Sequence, residues 1–77
     1  MKKISDLNID EVAVVEKILA KEPLKGRLLS MGIVKGAKIR VIAHTLARQT
    51  WDILSNDTKV ALRDEEANSV VVKVEDE

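Results

Sequence analysis

The sequence predicts a small, mainly β fold: a closed or partly open barrel of about five short strands, with one short α-helix between the first two. Three observations lead there. In "AKIRVIAH", "TWDIL" and "TKVALR", apolar and polar residues alternate with the period of a strand. Leu24, Leu28 and Met31 recur instead at the spacing of one helix face. The chain has 77 residues, which is enough to close only one core.

The first strand is read in "EVAVVEKI", residues 11–18, from its β-branched side chains. Pro23 suits the first turn of a helix, where a missing N–H costs nothing. Gly32 stops that helix, because it takes a left-handed conformation at C′ without a Cβ clash. Ile33 then falls at C″ and is expected to pack on Leu28 at C3. "VKGA" suits a type II turn with Gly36 at the position of positive φ. The strand "AKIRVIAH" places Ile39 and Val41 on one face, with Arg40 and Ile42 on the other. Trp51 and Ile53, then Val60 and Leu62, mark two further strands around a turn at "SND". "DEEANS" reads as a single helical turn, and "VVVKV" sets Val70, Val72 and Val74 on one face. One domain is expected over 1–77, ordered over about residues 4–74, with an acidic tail at 75–77.

Gly32 and Gly36 could also suggest an anion cradle, but the order of elements argues against it. Phosphate loops run from strand to glycines to a helix N-terminus, whose amides face the anion. Here the glycines follow a helix C-terminus, whose carbonyls repel anions. Both are therefore read as structural turn residues.

Composition bounds the rest. The chain lacks cysteine, which removes disulfides and thiolate metal sites. Trp51 is the sole aromatic among Phe, Trp and Tyr, so the core must be aliphatic. After Met1-Lys2-Lys3, the polar residues Asp6, Asn8, Asp10 and Glu11 break any signal-like apolar run. Elsewhere no apolar run approaches 18 residues, so no membrane insertion is expected and a cytoplasmic location is the default. Thirteen basic residues balance thirteen acidic ones, but they are segregated along the chain. From Lys17 to Arg48 there are eight bases and one acid, Glu22; from Gln49 onward eight acids face three bases. Either the surface is dipolar and its basic side meets an acidic partner, or the two halves interleave in space and neutralise each other. The second reading is preferred, because small barrels bring distant segments together.

The blocks "RLLSMGIVKGAKIRV" and "KVALRDEEANSVVV" resemble the ferrous iron transport protein A family, FeoA. They are also similar to the SH3-like C-terminal domain of diphtheria-toxin-repressor-type metal regulators. The likeness runs from Leu7 to Val74. Lys35 stands where the family commonly has Pro, and "HTLARQTWDILSND" lacks the Gly and Pro usual there. The resemblance implies an SH3-like barrel that works from the cytoplasm with the membrane-embedded ferrous iron transporter FeoB, which carries a GTPase domain. It would dock on the transporter's cytoplasmic side, peripheral to the inner membrane, and support its activity. The alternative is a free-standing interaction module of the repressor type that binds a protein partner or peptide.

The residues point away from other chemistry. Ser5, Ser30, Ser55 and Ser69 sit in no nucleophile motif, and His44, the sole imidazole, is read as an ordinary exposed side chain closing a strand. No catalytic residue is assigned, and the protein is not read as an enzyme. Ferrous sites commonly take two histidines and a carboxylate, so no metal ligand or cofactor is assigned either. The clusters 64–66 and 75–77 are read as a solvated helical turn and a frayed acidic tail, with a metal shared at a partner interface left open. Single-strand binding and Pro-rich peptide grooves both need several aromatics, so nucleic acid is not expected. Protein recognition remains. Lys25 and Arg27 on the short helix, with Leu46 and Arg48 in the central hairpin, are the expected partner-binding residues, although Arg27 could instead brace its helix against an acid. Self-association is left open.

Overall fold

A computed structural model describes residues 1–74; the acidic tail expected at 75–77 lies outside them. In chain order it contains β1 (Lys2–Lys3), a 3-10 turn (Ile4–Asp6), β2 (Val12–Ile18), α1 (Leu24–Ser30), β3 (Lys38–His44), β4 (Thr50–Ser55), β5 (Thr58–Arg63), α2 (Asp64–Ala67) and β6 (Val70–Val74). All strands join one antiparallel sheet in the order β1-β6-β2-β3-β4-β5. The sheet is not closed: β1 and β5 are its edges. With β1 counted, there are six strands and α1 lies between the second and third. A two-residue strand has no periodicity to read. It forms because Lys2 and Lys3 lie against Val72 and Val71 of β6.

The helix stop forms as the sequence predicts. Gly32 has φ +88°, its N–H bonds to the Leu29 carbonyl at 3.1 Å, and the Ile33 N–H bonds to Leu28 at 3.0 Å. These are the two bonds of a Schellman motif, and both Leu28 and Ile33 are fully buried. Four residues on, Gly36 has φ +89° and Ala37 N–H bonds to the Val34 carbonyl at 3.0 Å, closing the type II turn. That turn then pairs with β2, as Val15 N–H bonds to Ala37 and Gly36 N–H to Val15. Glu22 accepts the Gly26 N–H at 2.8 Å and so supplies one missing partner at the start of α1.

One aliphatic core lies beneath the sheet, built from Ile4, Leu7, Leu28, Ile33, Ile39, Ile53 and Leu62 around a fully buried Trp51. Burying each such side chain stabilises the fold by about 1.5–3 kcal/mol. Leu24 and Met31 cover it from α1. A register shift between Val41 and Ala43 marks a bulge in β3, and Ile42 within it stays exposed. Asn56 and Asp57, at φ 48° and 70°, form the two-residue type I′ turn from β4 to β5.

Candidate functional site

Two of the expected partner-binding residues, Leu46 and Arg48, lie in the loop of the central hairpin. Thr45 organises its loop: its carbonyl accepts the Arg48 N–H at 2.9 Å, and its hydroxyl accepts the Gln49 N–H at 2.9 Å. Thr45 and Thr50 close the strand ends with a 3.1 Å bond between backbones. Arg48 takes φ +54°, a left-handed conformation that tightens the loop. Its guanidinium lies 5.7 Å from the Trp51 ring centroid and donates to the Ser5 carbonyl at 3.4 Å. His44 flanks the same indole, with ring centroids 4.8 Å apart, and its Nδ1 is 2.8 Å from the Thr45 carbonyl. Leu46, at the tip, has relative exposure of 104% and packs on nothing. The loop therefore presents an unsupported leucine on a backbone that is itself held in place. A loop backbone already held in place loses little entropy when a partner covers its tip.

His44 differs from its expected state. It is half-buried rather than freely exposed, because Trp51 lies directly across from it in the β3–β4 register. Trp51 is wholly buried, and its Nε1 is a buried polar side-chain atom without a hydrogen-bond partner among the described residues.

Arg27 makes an ion pair. Its Nη2 donates to Glu66 Oε2 at 2.8 Å, while Glu66 Oε1 accepts the Arg63 N–H at 2.8 Å. The brace considered for Arg27 is thus present, and the remainder of its side chain stays 58% exposed. The cluster 64–66 is not a wholly solvated turn, as expected from its charge: Asp64 and Glu65 are exposed, but Glu66 is 2% exposed. The acid at the third position of α2 folds back to cap it, and that geometry turns the side chain inward. Sequence reasoning passed over this role, although an acid three residues after a helix's flanking residue is its signal.

Ser5, from the 3-10 turn, donates to Asn68 Oδ1 at 2.6 Å, and Asn68 donates to Asp64 Oδ1 of α2 at 2.9 Å. Arg48 reaches this chain through the Ser5 carbonyl, whereas Arg27 bonds Glu66, elsewhere on α2. Lys25 is exposed on α1, and its ammonium makes no ion pair among the described residues. Leu29, also on α1, is 42% exposed. Exposed basic side chains (Lys25, Arg27, Arg48) and exposed leucines (Leu29, Leu46) thus lie on α1 and the 45–49 loop, with Asp64 and Glu65 exposed on α2. Among the described residues, no three His, Asp or Glu side chains group as a metal site, and no helix is long and apolar enough to cross a membrane.

Comparison with known proteins supplies a context for this surface. The FeoA domain model matches residues 2–74. A Helicobacter pylori (strain ATCC 700392 / 26695) protein assigned to Fe(2+) transport protein A is 35% identical over 60 residues, covering 78% of this chain and 79% of the relative. The zinc-complexed structure of Stenotrophomonas maltophilia FeoA, described as a procaryotic SH3 domain protein, superposes with a TM-score of 0.83 at 31% identity, covering 95% of this chain and 91% of that one. A manganese-dependent transcriptional repressor bound to manganese superposes with a TM-score of 0.88 at 17% identity, covering 95% of this chain and 36% of that one. The repressor shares the fold alone.

Proposed function

We propose an accessory role in ferrous iron uptake for this protein, which belongs to the FeoA family. In this reading it is a non-enzymatic SH3-like module that docks from the cytoplasm on the GTPase domain or membrane-proximal loops of the transporter FeoB and supports its activity. Leu46 carries the reading: a fully exposed leucine on a hydrogen-bonded loop beside Arg48. A few fully desolvated side chains, arginine prominent among them, supply most of the energy in such interfaces, and Leu46 would exclude water beside Arg48. Lys25, Arg27 and Arg48 would meet acidic groups around Leu46, setting orientation and encounter rate. The repressor-type alternative has weaker support, since its likeness rests on fold at 17% identity.

The test is an NMR titration of the labelled chain with the GTPase domain of the transporter, run with GDP and with a non-hydrolysable GTP analogue. Saturable shifts confined to α1 and the 45–49 loop are expected. Leu46→Asp should raise the dissociation constant by about tenfold or more, and Arg27→Glu with Arg48→Glu should weaken binding further. Because Leu46 packs on nothing, Leu46→Asp leaves the thermal midpoint unchanged. Binding unaltered by these substitutions would remove this surface, and no shifts in either nucleotide state would remove the GTPase domain as the dock.

A further inference from the structure

The β5 edge of the sheet is open, and the register shows which of its backbone groups face outward. Residues 55–58 form a two-residue hairpin, whose closing pair, Ser55 and Thr58, exchanges hydrogen bonds. Alternation then makes Ile53:Val60 and Trp51:Leu62 the bonded pairs, and the next bond in the series, Asp64 N–H to the Gln49 carbonyl at 2.9 Å, is present. Lys59, Ala61 and Arg63 therefore turn their N–H and C=O groups away from β4. The Arg63 N–H is taken by Glu66 Oε1. Those of Lys59 and Ala61 meet no other strand among the described residues.

The side chains at this edge decide what could cover it. Lys59, Ala61 and Arg63 share the exposed face, while Val60 and Leu62 point into the core. Neither the Lys59 ammonium nor the Arg63 guanidinium makes an ion pair among the described residues, although Asp52 lies across the ladder from Ala61 between them. A second copy paired antiparallel about Ala61 would set Lys59 against Arg63 of its partner twice over. Like charges directly opposite destabilise a strand pair. Asp57, Asp64 and Glu65 flank the two cations at the strand ends, with Asp64 held by Asn68. Along β5 itself, Lys59 and Arg63 therefore attract an acidic strand, and the small Ala61 leaves the backbone between them accessible.

We propose that β5 accepts an extended acidic segment of a partner protein as a seventh strand, with two carboxylates four residues apart opposite Lys59 and Arg63. Those two side chains stand about 13 Å apart along the strand, the rise of four residues. Main-chain bonds to Lys59 and Ala61 provide the ladder, and apolar residues between the carboxylates extend the inner face over Val60 and Leu62. This inference is independent of the iron-uptake reading and is tested on this chain alone.

The probe is a synthetic peptide of alternating valine and threonine with two glutamates four apart, compared with its lysine counterpart. In the free protein, the amides of Lys59 and Ala61 exchange rapidly, whereas Val60 and Leu62 are protected by β4. Saturation with the acidic peptide should slow exchange at Lys59 and Ala61, and the lysine peptide should not. Ala61→Pro removes an outward donor without touching the β4 ladder, so it should abolish binding while the β4 amides keep their shifts. Lys59→Glu with Arg63→Glu should weaken the acidic peptide by about tenfold and transfer binding to the lysine peptide. Unslowed exchange at Lys59 and Ala61 at millimolar acidic peptide would overturn the proposal, leaving these charges only to prevent edge pairing. Equal binding of both peptides, or dimerisation of the free chain through β5, would overturn it as well.

Discussion

At Glu66, a carboxylate with 2% exposure divides its oxygens between the Arg63 N–H and the Arg27 guanidinium. The two bonds differ in consequence. The N–H has no other partner within reach of its helix, whereas Arg27 is 58% exposed and water can take its place. Glu66→Ala should therefore cost about 2 kcal/mol, combining a lost cap with a lost charge-assisted bond. Arg27→Ala should cost about 1 kcal/mol or less. Chemical denaturation of both variants checks the order, and a larger loss for Arg27→Ala would mean that the ion pair stabilises the fold more than the cap does. Trp51 is a second residue whose character depends on its neighbours. Its place in an alternating strand was legible, but its lids, His44 and Arg48, were not. Arg48 reaches it only because a left-handed residue bends the loop back.

Among the elements, α1 and the turn after it were the most readable. Their signals are local: Leu24, Leu28 and Met31 at helix spacing, then two glycines where positive φ is required. A Cβ at Gly36 would meet nothing within 4 Å, so any penalty there is backbone strain alone. Gly36→Ala should cost about 1 kcal/mol, and Gly36→Asn clearly less, since Asn tolerates the left-handed region. Equal thermal midpoints for the two variants would contradict that account. Gly32 is coupled to a distant strand as well, because the Ser55 hydroxyl donates to its carbonyl at 2.9 Å. Ser55→Ala leaves a part-buried carbonyl unpaired and should lower stability by about 1–2 kcal/mol, measured by denaturant midpoint. Nothing within reach of Ser55 in the chain announces that bond, since its partner lies 23 residues away. β1 was missed for the same reason: two lysines become a strand only through β6.

For the whole molecule, the basic and acidic stretches lie side by side at the β3–β4 ladder, and Arg27–Glu66 joins them as an ion pair. Lys2–Glu11 and Arg40–Asp10 are surface pairs at 3.5 and 3.3 Å. Exposed pairs in a chain of zero net charge are weak and easily screened. Raising sodium chloride from about 0.1 M to about 1 M should therefore change unfolding free energy by less than about 1 kcal/mol; a larger loss would mean that exposed ion pairs hold the fold more strongly than their geometry indicates. By itself, the sequence determined the identities of β2 to β6, α1 and α2, the faces that enter the core and the two glycine turns. Each of these follows from periodicity or from the dihedral preference of single residues. Only the tertiary structure decided the sheet order, the inward turn of Glu66, the covering of Trp51 and the outward-facing groups of Lys59 and Ala61. Those depend on which distant segments lie side by side, and a period of two is the same for every strand that could have been the neighbour.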